Sequence, residues 1–167
     1  MCGITGFIQL GAHRDESLMR LSAMLKPIIH RGPDDGGVWV DDRDGVAFGH
    51  RRLSIVDLSI EAHQPMISAC GRFVIVFNGE IYNYDELRKN LENSNQLPLG
   101  GWRGHSDTEV LLACIVSLGL EKTLQLAVGM FAMAIWDNHE KSLILARDRI
   151  GEKPLYYGWQ NEVFLFG

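Results

Sequence analysis

Short apolar runs separated by polar turns dominate this chain, and most are short enough to be strands. The first covers residues 3–10, and an amphipathic helix is predicted at 16–25, where Leu18, Leu21, Met24 and Leu25 share one face. Pro27 lies just beyond it, where a helix is expected to stop. Residues 30–37, HRGPDDGG, have the composition of a turn-rich loop. Strands are predicted at 37–40, 46–53 and 73–77. Asn83 and Ser106 are each followed three residues later by a glutamate, Glu86 and Glu109, the spacing of a capping box. These open a helix from 83 to about 91 and a second from 106 that continues through Val110, Leu111, Leu112, Ile115 and Val116. Further strands are predicted at 129–136, 142–146, 155–158 and 163–166, and 93–104 resembles a long surface loop. Strands on both sides of a helical middle predict an α+β fold with sheets covered by helices.

Composition narrows the function classes. The chain has 167 residues, 46% of them hydrophobic, which fits one globular domain over 1–167 with a full core. A formal net charge of -5 and the lack of any long run of Lys and Arg argue against a nucleic-acid partner. No segment is apolar for long enough to span a bilayer, so no membrane partner is expected. Three widely spaced cysteines, Cys2, Cys70 and Cys114, fit a reducing compartment and a cytoplasmic location. His30, His50, His63 and His105 lack metal-ligand spacing, so no metal is expected, and since neither HRGPDDGG nor ARDRIGEKP matches a Walker or dinucleotide pattern, no other cofactor is expected in this domain.

Cys2 is the most informative position for chemistry. Removal of Met1 would place a thiol and a free α-amine on one residue. An α-amine has an unperturbed pKa of about 7.7 to 8.0, so near neutral pH it can act as the base for an adjacent nucleophile. Position alone also allows a small apolar residue opening a strand. Asn78-Gly79 is a hairpin signal by itself, yet a capped helix follows it. A turn at that strand-to-helix junction could aim the Asn78 amide and the Gly79 N–H into a cleft as an oxyanion hole. The period of two places Arg51 and Arg52 on opposite faces, so at most one guanidinium can grip a carboxylate in a given site. Asp107 falls in a first helical turn, where a carboxylate is favoured whether or not it binds anything.

Eight segments, MCGITGF, HRGPDDGG, GHRRLSIVDLS, HQPM, FNGEIYNYDELR, HSDTEV, GMFAMAIWD and ARDRIGEKPLYYG, occur in the order and approximate spacing of the glutamine-hydrolysing domain of asparagine synthetases. The chain thus resembles the class II glutamine amidotransferases over almost its whole length. That resemblance implies the N-terminal-nucleophile hydrolase fold, a four-layer αββα sandwich. It also implies Cys2 as nucleophile, Asn78 and Gly79 as oxyanion pair, and Arg52 on the α-carboxylate of glutamine. Glu80 and Asp107 would hold the substrate amino group, with backbone groups of Ile55 and Val56 lining the pocket. HRGPDDGG is expected to act as scaffold, and ARDRIGEKP to support the sheet and meet a second domain. The resemblance implies an ATP- and magnesium-dependent synthetase domain downstream and leaves a homodimer open. It also covers relatives that amidate other acceptors, such as surface-polysaccharide sugars, and silent regulatory modules; the intact set of site residues favours the enzyme.

Overall fold

The computed structural model describes residues 2–53 and 59–167. Sheet A has the order β2-β3-β1-β9-β8 and sheet B the order β4-β5-β6-β7. Their strands are β1 (Gly3–Ile8), β2 (Asp35–Asp41), β3 (Val46–Arg52), β4 (Met66–Ile67), β5 (Phe73–Ile81), β6 (Gly129–Asp137), β7 (Ser142–Arg147), β8 (Tyr157–Gln160) and β9 (Val163–Phe166). Helix α1 (Arg14–Leu25) covers sheet A, while α2 (Tyr84–Asn93), α3 (Asp107–Leu118) and α4 (Leu120–Leu126) lie on the side of sheet B.

Strand alternation produces the four layers. In β5 and β6, Val74, Val76, Ala132, Ala134 and Trp136 face sheet A, where they meet Ile4, Val46, Phe48 and Phe166. Phe48 and Phe166 pack edge to face with centroids 5.3 Å apart. The intervening residues Ile75, Phe77, Met133 and Ile135 turn outward against Leu111 and Ile115 of α3. On the far side of sheet A, Phe7 and Ala47 pack against Leu21 of α1. Helix, sheet, sheet and helix follow in that order, as the αββα expectation requires.

Several expected boundaries move. The first helix starts at Arg14, two residues before the predicted 16, and β2 is longer at both ends than 37–40. The predicted strand 155–158 is displaced to β8. The helix from Ser106 breaks at Gly119, whose φ of 82° lies in the left-handed region, and α4 begins anew there. Ser106 does cap α3, accepting from the Glu109 N–H at 3.2 Å. Glu109 does not complete the box, since its carboxylate takes the N–H groups of Arg103 and Gly104. Asn83 does not cap α2 with its side chain: its amide donates to Leu126 O and accepts from the Val128 N–H, clipping the start of α2 to the end of α4. Most consequentially, the strand predicted at 73–77 runs on to Ile81, so Asn78 and Gly79 are strand residues and not a turn. Strand β6 pairs with β5 along that whole length, from Phe73↔Asp137 to Ile81↔Gly129.

His50 is fully buried where β3 of sheet A meets β5 of sheet B, with its Nε2 3.2 Å from Phe77 O. Burial pushes its pKa from 6.5 down to about 4 against the opposing pull of the Phe77 carbonyl, and the positive charges of His63 and Arg52 lower it further. Because the folded value is the lower one, the unfolded chain binds the extra proton between the two, and stability is lost as pH falls through that interval. This linkage is worth about 3 kcal/mol over the interval from 6.5 to about 4. Asp35, Asp137 and Asp148 have lowered pKa values, so their contributions are lost only below the usual carboxylate range. Asp107 is shifted the other way and slightly opposes the trend. Urea unfolding at stepped pH should therefore show a stability decline between 6.5 and about 4 that His50→Gln largely removes. An unchanged decline in the glutamine variant would assign the effect elsewhere.

Candidate active site

A cleft of about 110 Å³ opens where β3 and β5 approach each other, lined by Cys2, Arg52, Gln64, Asn78, Gly79 and Asp107 among others. A single water needs roughly 10–15 Å³, so the space suits a small ligand.

The edge of β5 explains how donors come to face this cleft. Even-numbered positions of β5 and its ends bond toward β6, as the Tyr82 N–H does to Val128 O at 2.7 Å. Odd-numbered positions therefore point to the opposite edge, where β4 is only two residues long and pairs only with Val74 and Ile75. Side chains satisfy most of what β4 leaves open. The Phe73 N–H donates to Ser68 Oγ at 2.9 Å, the Phe77 N–H to Gln64 Oε1 at 2.6 Å, and the Ile81 N–H to Asp107 Oδ2 at 3.0 Å. Gly79 stands between the last two. By the same alternation its N–H is directed into the cleft, and no acceptor among the described residues meets it. A Cβ at this position would sit 2.4 Å from Met130 O and 2.7 Å from Phe131 Cα, so close strand approach demands glycine. Asn78 turns toward the space between the sheets; it is 4% exposed, and its amide has no hydrogen-bond partner among the described residues.

Sheet A supplies the facing wall. Cys2 is half-buried directly ahead of β1, with Sγ 3.8 Å from Leu53 O. Arg52 and Arg51 occupy opposite faces of β3, as the period of two predicts. Arg52 is buried, lines the cleft and donates to Ser59 O at 2.9 Å, whereas Arg51 lies beside Gly36 away from it. Gly32 packs so tightly on this strand that a Cβ would come within 2.3 Å of the Arg51 carbonyl carbon. The loop HRGPDDGG therefore buttresses β3, and Asp35 ties it to HQPM through a 2.7 Å contact with His63 Nδ1.

Asp107 enters from the amino end of α3. Burial raises its pKa, while the N–H of Ile81 and the hydroxyl of Thr108 partly offset that and the nearby Glu80 adds to it. Thr108 is held in turn by Gln64, whose Nε2 donates to its Oγ1 at 3.3 Å. Glu80 is exposed and reaches the rim of the same cleft. Ile55, Val56 and the first residue, Met1, lie outside the described residues. Gln64, Thr108 and Lys153 also line the cleft, and sequence reasoning gave none of them a place there. HQPM and HSDTEV were recognisable as motifs, but only the fold brings Gln64 to Phe77 and Thr108. Lys153 arrives through ARDRIGEKP, whose Asp148 carboxylate accepts the N–H groups of Phe131, Ile150, Glu152 and Lys153. Burial tends to raise the Asp148 pKa, but these donors outweigh it and hold the group ionised. The loop thus supports the sheet, as expected, and also delivers a side chain to the cleft. Among the described residues no group of three His, Cys, Asp or Glu is placed to hold a metal ion, and no helix is long and apolar enough to cross a membrane.

Comparison with known proteins agrees with this arrangement. The chain is 38% identical over 176 residues to asparagine synthetase [glutamine-hydrolyzing] 3 of Bacillus subtilis, a match covering all of this chain and 26% of that protein. It is 40% identical over 159 residues to asparagine synthetase [glutamine-hydrolyzing] 2 of the same organism, covering 94% of this chain and 20% of that protein. The chain therefore spans about a quarter or less of the length of these relatives. Among solved structures, glutamine phosphoribosylpyrophosphate amidotransferase from B. subtilis superimposes with a TM-score of 0.79 over 98% of this chain and 41% of that one. At 21% sequence identity that likeness establishes the shared fold, two sheets packed face to face between helical layers. The family described as glutamine amidotransferase domain matches residues 1–167 from end to end, and this chain belongs to it.

Proposed function

We propose that this chain is the glutaminase part of a glutamine-hydrolysing asparagine synthetase acting in the cytoplasm. The observation that carries this reading is the convergence, on a single cleft, of one thiol with two donors that have no partner among the described residues, the Asn78 amide and the Gly79 N–H. In this reading the α-amine of Cys2, freed by loss of Met1, takes the thiol proton, and Sγ attacks the side-chain carboxamide carbon of glutamine. The carbonyl oxygen becomes an oxyanion between the two donors. Collapse breaks the C–N bond, the departing nitrogen takes up the proton, and ammonia leaves a glutamyl thioester. Water then attacks the thioester through a second oxyanion at the same donors, releasing glutamate and restoring the thiol.

Substrate placement follows from charge. The Arg52 guanidinium would grip the α-carboxylate, and Asp107 with Glu80 would receive the α-ammonium, as the resemblance implies; backbone groups of Ile55 and Val56 would complete the pocket. An incoming ammonium would also offset, by its opposite charge, the desolvation that raises the Asp107 pKa. ATP, magnesium and the aspartate acceptor would belong to a synthetase domain in the remainder of a longer protein. That assignment is supported by relatives three or more times this chain's length. A homodimer is compatible with this reading.

The nucleophile assignment is tested by mass and activity together. Active protein should lack Met1, and Cys2→Ala should abolish glutamine hydrolysis while leaving thermal unfolding nearly unchanged. Retained Met1 in fully active protein, or turnover by the alanine variant, would overturn it.

Substrate grip predicts an asymmetry between neighbouring arginines. Arg52→Lys keeps the charge but loses the two-point geometry, so KM for glutamine should rise by roughly tenfold or more, a loss of about 1.4 kcal/mol. Arg51→Lys, on the other face of β3, should change KM little. Equal effects would mean that the guanidinium contact is misassigned.

The oxyanion assignment separates chemistry from binding. Asn78→Ala should lower kcat by about a hundred- to a thousandfold, because the amide meets charge that develops only in the transition state. Calorimetric binding of glutamine to Cys2→Ala should change little when Asn78→Ala is added. Loss of binding there would make Asn78 a substrate anchor instead.

A further inference from the structure

One buried polar side chain outside the cleft is tied directly to the strand that carries the oxyanion donors. His50 is fully enclosed and does not line the cleft, so it does not touch substrate. It lies two residues before Arg52 on the same face of β3, and it is paired across the sheet with Ile4, two residues after Cys2. Its Nε2 reaches across the sandwich to Phe77 O at 3.2 Å. A carbonyl only accepts, so Nε2 carries the proton; Nδ1 has no partner among the described residues. Phe77 O belongs to the peptide unit whose nitrogen is that of Asn78. Fixing that plane fixes the Asn78 Cα and, one unit further, the direction of the Gly79 N–H. Gln64 holds the other side of the same residue through the Phe77 N–H, so the segment entering the oxyanion pair is clamped at both polar groups.

We infer that His50 is a positioning residue: its Nε2–H bond to Phe77 O sets the oxyanion donors at a fixed separation from Cys2 and Arg52 across the two sheets. The inference rests on the glutaminase reading above. Small misplacements of catalytic groups carry large penalties, and a 1 Å error can cost on the order of a hundredfold. Because the bond orients donors that act on developing charge, its loss should fall on kcat and spare KM.

The experiment compares His50→Leu, which lacks the donor, with His50→Gln, whose amide can present an N–H near the position of Nε2. Both are assayed as protein with Met1 removed. Turnover is expressed per functional site, counted by mass after alkylation of Cys2 with a diazoketone analogue of glutamine, so that a misfolded fraction does not register as lower kcat. The leucine variant should lose at least about tenfold in kcat per site with KM within about threefold, and the glutamine variant should recover to within about threefold of the parent. An aldehyde analogue of glutamine forms a tetrahedral adduct with Cys2 and so probes the donors directly. Its inhibition constant should rise at least about tenfold in His50→Leu, with glutamine binding to the Cys2→Ala background unaltered. Should the leucine variant not fold, His50→Asn takes its place, since the shorter amide does not reach Phe77 O. Unchanged kcat per site, equal losses in the glutamine and leucine variants, or a loss confined to KM would overturn the positioning role. Absence of glutamine hydrolysis in the unsubstituted protein would instead overturn the glutaminase reading, and this inference with it.

Discussion

The constraint on which the site depends is the brevity of β4. Every backbone N–H and C=O in a dry region needs a partner, and a strand edge exposes a row of them. Strand β4 pairs at Met66↔Ile75 and Ile67↔Val74 and goes no further. Continuing that register would set Pro65 opposite Val76, whose own polar groups are turned toward β6, and Gln64 opposite Phe77, whose N–H is turned toward β4. The chain turns away and the Gln64 side chain replaces its backbone as the partner of Phe77. Beyond it, Asp107 takes the Ile81 N–H. The gap between these two substitutes is one residue wide on the edge, and Gly79 occupies it. A longer β4 would have paired that N–H, leaving no donor at Gly79 to face the cleft.

This explains what was legible in the sequence and what was not. The apolar runs at 73–77 and 129–136 marked two central strands but not their pairing, and the opposite faces of Arg51 and Arg52 followed from the pleat alone. The motifs around Cys2, Asn78 and Asp107 identified the family and marked residues that the fold gathers in one cleft. The strand-to-helix turn expected at Asn78-Gly79 was wrong because local sequence favours a turn there, whereas pairing with β6 keeps the strand extended to Ile81. The Asn83 cap failed for a related reason: a side chain suited to capping found better-placed partners 43 and 45 residues away. Gln64, Thr108 and His50 could not be assigned from their own segments. Their roles consist of bonds to elements distant in sequence, and no periodicity reports such bonds.

Placement of charge around the cleft has an energetic logic. Asp107 is a buried carboxylate that burial alone would push toward the neutral form. Two features keep it tolerable, the amino end of α3 on which it sits and the N–H of Ile81 that it accepts. The same bond joins α3 to β5, so a group that serves the cleft also anchors the helix carrying it. Asp148 does the equivalent work on the opposite side, gathering four backbone N–H groups and fixing the loop that brings Lys153 inward. Neither carboxylate is fitted mainly by an ion pair; each is held by oriented peptide groups, which keep their geometry better than long flexible side chains.

The two walls of the cleft belong to different sheets. Cys2 and Arg52 come from sheet A, and Asn78 and Gly79 from sheet B, with Asp107 on the helix packed behind the latter. Between the sheets lies mostly apolar contact among Phe48, Val74, Val76, Trp136 and Phe166, which resists separation but does little to prevent small sliding, because hydrophobic packing is nearly non-directional. A hydrogen bond supplies the direction that packing lacks. The His50 imidazole crosses that interface within two residues of Arg52 and one peptide unit of Asn78, where a slide would be felt first. Local loosening of the sandwich at this end would therefore separate Cys2 from Asn78 and Gly79 well before the core melts. Cleft geometry and sheet packing in this domain are one mechanical problem, and a buried neutral histidine sits at the point where they meet.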